Sequence, residues 1–117
     1  MKDIVTITDL KQLALSIPSP KPTSRTNGQV ESNAPIWTSE DGAVRVGVWE
    51  CTPGVFTADR TGNSEICYIL SGLVEMRHVD GRVERLGAGD SLILPKGWAG
   101  EWNIIETTRK MYVTHTP

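Results

Sequence analysis

The sequence predicts an all-β, single-domain barrel preceded by an extended N-terminal arm. Three observations carry this. From Trp37 onward the chain reads as short β-prone runs separated by turn residues. No helix-length apolar periodicity occurs in that span. Before it, Ser16 to Pro35 is rich in Pro, Ser, Thr, Asn and Gly and too poor in apolar residues to fold by itself. The expected division is therefore an arm over residues 1–35 and a β domain over residues 36–117.

The elements follow in order. Asp9–Leu15 reads as one short helix with Asp9 at its N-cap. The arm behind it either wanders or is pinned to the barrel or to a second subunit. Ala43–Cys51 alternates, with Val44, Val46 and Val48 on one face and Arg45, Gly47 and Trp49 on the other. The valine face is the expected interior. Ile66–Leu70 is almost continuously apolar, as a strand buried on both faces should be. Leu73–Val79 and Arg82–Leu86 flank Asp80-Gly81, a strong hairpin signal. Ser91–Leu94, Trp98–Ile105 and Lys110–Thr114 complete the strand set, and Gly72, Gly81, Gly89 and Gly97 are expected at turns.

Composition narrows the function classes. At 117 residues the chain is long enough for one hydrophobic core and no more. Its 22% charged and 38% hydrophobic residues match a soluble globular domain. A net charge of −2 gives no reason to expect nucleic acid or an anionic membrane as partner. No apolar run is long enough to span a bilayer and no leader-like segment follows Met1. Cys51 and Cys67 form neither a CxxC pair nor a disulfide framework, so a cytoplasmic setting with reduced thiols is expected.

Two stretches bear a family resemblance. Glu65-Ile66-Cys67-Tyr68-Ile69-Leu70-Ser71-Gly72 resembles the first signature motif of the cupin superfamily, in its Glu-to-Gly spacing and its apolar character. Gly89, Pro95 and Gly97 fit the second motif. The resemblance spans Ala43 to Val113. It implies a jelly-roll barrel, or double-stranded β-helix, that usually holds a metal and commonly pairs as a homodimer. Gly47–Gly54 and Thr107–Val113 narrow it to an uncharacterised group of small cupins, related to ureidoglycine aminohydrolase and to the cupin protein of ethanolamine utilisation.

The usual metal ligands are missing from this pattern. In most cupins two histidines stand seven and five positions before the Glu, and a third stands three after the Gly closing the second motif. Those positions here hold Ala58, Arg60 and Gly100. Only Glu65 survives of the four, and His78 and His115 fall elsewhere. One carboxylate is a poor site for a transition metal, so neither metal nor other cofactor is expected.

The remaining candidates are organic groups. Glu50, on the valine face, and Glu65, by its motif position, are the expected catalytic pair. Two carboxylates in one half-buried cavity repel, which leaves an acid beside a base. Arg60 replaces a metal ligand and offers a fixed fork for a carboxylate. Trp102 shares the inward face of Gly100, where it either walls a ligand or plugs the lost metal site. Lys110, Tyr112 and Cys67, which shares the face of Glu65, complete the substrate-binding candidates. Each also has a bland reading: ion-paired carboxylates, surface cations, an inert core thiol. Three functions follow: a metal-independent acid/base enzyme on a small polar metabolite, a non-catalytic metabolite-binding or sensing module, or an assembly protein with a solid barrel.

Overall fold

The computed structural model describes residues 2–117. It contains eight strands: β1 (Ser19–Pro20), β2 (Val30–Thr38), β3 (Val44–Cys51), β4 (Gly54–Asp59), β5 (Ser64–His78), β6 (Val83–Gly87), β7 (Ser91–Leu94) and β8 (Ala99–His115). All pairings are antiparallel, in the order β1-β2-β3-β8-β5-β6, with β4 added on β8 and β7 on β5.

Two long strands turn this sheet into a barrel. β8 pairs with β4 through Ala99–Ile104 and then with β3 through Thr108–His115. β5 pairs with β7 through Glu65–Tyr68 and then with β6 through Leu73–Arg77. The two run against each other, and their register slips three times between Ile69 and Val74. Bulges of this kind bend a strand and increase its twist. Each long strand thus serves two layers, and the expected runs Ile66–Leu70 with Leu73–Val79, and Trp98–Ile105 with Lys110–Thr114, are halves of continuous strands. Residues from both halves meet between the layers: Trp49, Cys67 and Ile69 from one, Phe56, Val74, Met76, Trp102 and Ile104 from the other.

Gly72 sits at the bend rather than in a turn. Its φ of 100° lies in the left-handed region, and a Cβ there would come within 2.4 Å of the Thr107 carbonyl oxygen. The hairpin at Asp80-Gly81 forms as expected, with a three-residue loop: Gly81 N–H donates to the His78 carbonyl at 3.0 Å and His78 N–H to the Arg82 carbonyl at 2.9 Å.

The N-terminal stretch differs from the expected helix. Only Leu10–Gln12 makes a 3-10 turn, and Asp9 (φ 56°) makes no side-chain capping bond. The competing partner is Arg109, whose Nη1 donates to the carbonyls of Leu10 at 3.0 Å and Leu13 at 2.9 Å, and Leu13 is already extended. The arm is pinned on its own barrel. Ser16 N–H donates to Asn33 O at 2.9 Å, Arg25 N–H to Val55 O at 2.8 Å, and Thr57 N–H to Thr23 O at 3.2 Å. The boundary expected between residues 35 and 36 falls inside β2, which pairs with β3 along most of its length. Among the described residues no helix is long and apolar enough to cross a membrane.

The bend makes a paired prediction. Gly72→Ala meets both positive-φ strain and backbone overlap and should lose roughly 2–4 kcal/mol in urea denaturation. Gly81→Ala, equally left-handed (φ 92°) but with nothing within 4 Å, should lose about 1 kcal/mol. Equal losses would remove the special role of the bend.

Candidate functional site

The inward face of β3 is the opposite of the one expected. Gly47, Trp49 and Cys51 point into the barrel, and Val44, Val46, Val48 and Glu50 point out. The register fixes the consequence: Trp49 lies opposite Lys110, whereas Glu50 lies opposite Arg109. Glu50 accordingly pairs with Arg109 Nε at 3.3 Å on the outer surface. It does not share a cavity with Glu65.

Glu65 is where its motif position put it, 4% exposed and facing inward from β5. Two cations converge on it. Lys110 Nζ donates to Oε2 at 3.2 Å and Arg60 Nη2 donates to Oε1 at 3.0 Å. Lys110, only 5% exposed, is enclosed by aromatic faces, with its ammonium 4.5 Å from the Trp49 ring centroid and 4.2 Å from that of Trp102. Trp102 stacks on Phe56, and Trp49 meets both edge-on. A buried ammonium gains from aromatic quadrupoles what it loses in hydration, though only in part, and the carboxylate supplies the rest.

Burial would raise the Glu65 carboxyl, but Lys110 and then Arg60 outweigh it and hold it below its ordinary value of 4.5. Burial would lower Lys110, and the Glu65 charge reverses this and holds it above 10.5. Both groups are therefore charged at neutral pH. Lys110 is a fixed cation, not the neutral amine that a nucleophile requires.

A cavity of about 390 Å³ opens beside this group. Arg60, Glu65, Trp102, Lys110 and Tyr112 line it, joined by Trp49 and Phe56. Lys21, Glu31 and Asn33 also line it, contributed by the arm and β2, and no local signal marks them because their stretch reads as linker. Glu31 pairs with Lys21 at 3.2 Å and accepts from Trp49 Nε1 at 2.8 Å. Tyr112 donates to Asn33 Oδ1 at 2.8 Å, and its hydroxyl passes over Gly47, where a Cβ would come within 2.3 Å of it. Cys67 does not reach the cavity: it is fully buried behind Glu65, and burial pushes its thiol up to about 12. Cys51, also buried, is pushed up to about 11.

The residues do not fit the metal that the cupin fold usually carries. Ala58 and Gly100 have no donor atom, and at Gly100 the space is taken by the Trp98 ring and the Arg77 carbonyl rather than by Trp102. Both Glu65 oxygens already face cations, and a metal ion would meet the Lys110 ammonium. Among the described residues no three His, Cys, Asp or Glu side chains group as metal ligands.

The buried pair sets a pH window. Glu65 contributes stability above pH 4.5 that is lost as pH falls through its lowered folded-state value. Lys110 contributes stability below pH 10.5 that is lost as pH rises through its raised one. The chain should thus show a stability plateau between these limits in urea midpoints measured across pH. Glu65→Ala strands two cations and should lose about 3–5 kcal/mol, and adding Lys110→Met should recover part of that loss. A Glu65→Ala variant as stable as the parent would break the assignment.

Comparison with known proteins agrees with this architecture. A profile of the EutQ-like cupin domain matches residues 38–112. The EutQ protein of Clostridium difficile has the same fold, with 22% identity and a TM-score of 0.77 over 95% of this chain and 79% of that one. A putative ethanolamine utilization protein Q from Salmonella typhimurium is 25% identical, with a TM-score of 0.65 over 74% of this chain and 70% of that one. A DUF861 family protein from Thermotoga maritima is 37% identical, with a TM-score of 0.52 over 56% of this chain and 73% of that one. No curated protein matches the sequence. The barrel, the two motifs and a matched span of well over half the chain lead to one conclusion: this protein belongs to the EutQ-like cupin domain family.

Proposed function

We propose that this cupin binds a small polar metabolite in its charged cavity, without a metal ion and without converting it. One observation carries the reading. The carboxylates lining the cavity among the described residues, Glu31 and Glu65, are each held by a cation. General acid–base chemistry needs groups whose proton affinities are pushed apart toward neutral pH. Glu65 is shifted the other way, and the second carboxylate that an acid/base pair would need, Glu50, is bound to Arg109 outside. What the cavity does offer is recognition chemistry. Arg60, Lys110, Tyr112 and Asn33 present polar groups along walls built by Trp49, Phe56 and Trp102. Its volume is that of a small-molecule site. The setting we propose is the cytoplasm, which keeps free thiols such as Cys51 and Cys67 reduced.

The partner we propose is a second copy of this chain, meeting it across the outward face. One row of side chains crosses five strands there in register: Trp37, Val46, Val113, Ile66 and Ile93. The next row holds Ala34, Val48, Met111, Tyr68 and Ser91. Neither row contains a charge, and Trp37, Ile66, Tyr68 and Ile93 are 42–67% exposed. Val48 in the second row is fully buried, so the free part of this face is Trp37, Ile66, Tyr68 and Ile93, the seed of a standard interface of about 800 Å² per partner. An uncharged face suits a copy of itself, because two chains of net charge −2 meet there without direct repulsion.

Two measurements test these readings. Native mass spectrometry of the purified protein should reveal a co-purified small organic mass, which added back binds saturably and stays chemically unchanged for hours by NMR. Conversion of that compound would make the protein an enzyme instead. Ile66→Lys should weaken self-association at least tenfold in sedimentation equilibrium at an unchanged melting temperature, and an unaltered dimer would move the interface elsewhere.

A further inference from the structure

The charge pattern of the cavity selects among polar ligands. Its lining carries three cations, Lys21, Arg60 and Lys110, against two carboxylates, Glu31 and Glu65, so one positive charge is left over (3 − 2 = +1). This surplus stands in a chain whose net charge is −2. The features that would recognise a cationic ligand are already taken by the protein's own cations. Glu65 faces Lys110 and Arg60, and Glu31 faces Lys21. The aromatic faces are taken too. The Lys110 ammonium lies over Trp49 and Trp102, and the Lys21 ammonium lies 4.7 Å from the Phe56 centroid. An incoming amine would have to displace a tethered ammonium from its cage.

Donors, by contrast, exceed acceptors. Arg60 directs Nη1 to Asn63 at 3.1 Å and Nη2 to Glu65 at 3.0 Å, while its buried Nε–H has no hydrogen-bond partner. Buried donors without acceptors are uncommon in folded proteins, so this N–H is one that a small shift of the Arg60 side chain would leave seeking an acceptor. Asn33 spends its carbonyl oxygen on the Tyr112 hydroxyl, which leaves its amide N–H groups as donors beside the cavity.

We infer that the ligand of this cavity is a small organic monoanion, a carboxylate, recognised by Arg60 and by the single positive charge that the cluster of Lys21, Arg60 and Lys110 holds beyond Glu31 and Glu65. The inference rests on the reading of the cavity as a ligand site. A carboxylate balances the single surplus charge, whereas inorganic phosphate, at roughly one and a half negative charges near neutral pH, would overshoot it in a wall that already holds Glu31 and Glu65. An arginine at the position where most cupins hold a metal ligand thus does part of the metal's electrostatic work toward an anion.

The test uses the full-length protein and four probes in isothermal titration calorimetry: benzoate, benzylammonium, benzyl alcohol and inorganic phosphate. Benzoate should bind at least tenfold more tightly than the other three, and its affinity should fall as salt is raised from low concentration. Lys21→Met, which brings the lining to neutrality without touching the buried triad, should weaken benzoate about tenfold at an unchanged melting temperature. Arg60→Gln should weaken it at least as much, provided thermal unfolding shows the variant folded. Benzylammonium or benzyl alcohol binding as tightly as benzoate would overturn the anion assignment and leave the cavity as a ligand site. Phosphate binding more tightly than benzoate would overturn the carboxylate. No heat with any probe would overturn the ligand-site reading and this inference with it.

Discussion

A carboxylate taken out of water inside a small barrel must be answered by positive charge, and the rest of the interior is arranged around that answer. Glu65 has lost nearly all contact with solvent, and moving such an ion into a low-dielectric interior costs several kcal/mol even after relaxation. Lys110 and Arg60 offset the cost, but Lys110 must itself be desolvated to arrive. Hence the indoles of Trp49 and Trp102, set edge-on to one another and both against the ammonium, and Phe56 stacked behind Trp102. The aromatic cluster therefore does double duty, as hydrophobic core and as solvent for a cation.

Much of this was legible in the residues. The Glu-to-Gly motif put Glu65 inward, the strand pattern placed Trp102 on the inward face, and Asp80-Gly81 marked a hairpin, because each signal is local. Glu50 was misplaced for an equally physical reason. On β3 both faces are apolar, Val44, Val46 and Val48 on one side and Gly47, Trp49 and Cys51 on the other. Alternation can then define two faces but cannot say which is inside. The outer valines look like core because that face is also partly covered, Val48 being fully buried.

Other features depend on pairing that no local signal carries. Lys110 follows Arg109 in a polar stretch, and only the register of β8 against β3 and β5 sends one of these cations inward and the other to the N-terminal carbonyls. The polar text of β2 resembles linker, yet as the strand beside β3 it needs little apolar surface of its own. Gly72 reads as a turn because its conformation is turn-like. The chain nevertheless keeps its course through it, since β8 holds the strand on both sides of the bulge.

The place of β8 in the topology also bears on how the barrel comes into being. The last strand of the sequence is the one on which β3, β4 and β5 all rest. Until it has left the ribosome those three lack their shared neighbour, and the β5 and β3 edges that it will cover stay open. Folds dominated by such distant pairings close slowly, and open edges in the interval invite pairing with other chains. A truncation that removed only the final strand would thus leave not a smaller barrel but an unclosed, adhesive sheet. For a chain synthesised from its N-terminus, the barrel closes only after the last of its own strands has been made.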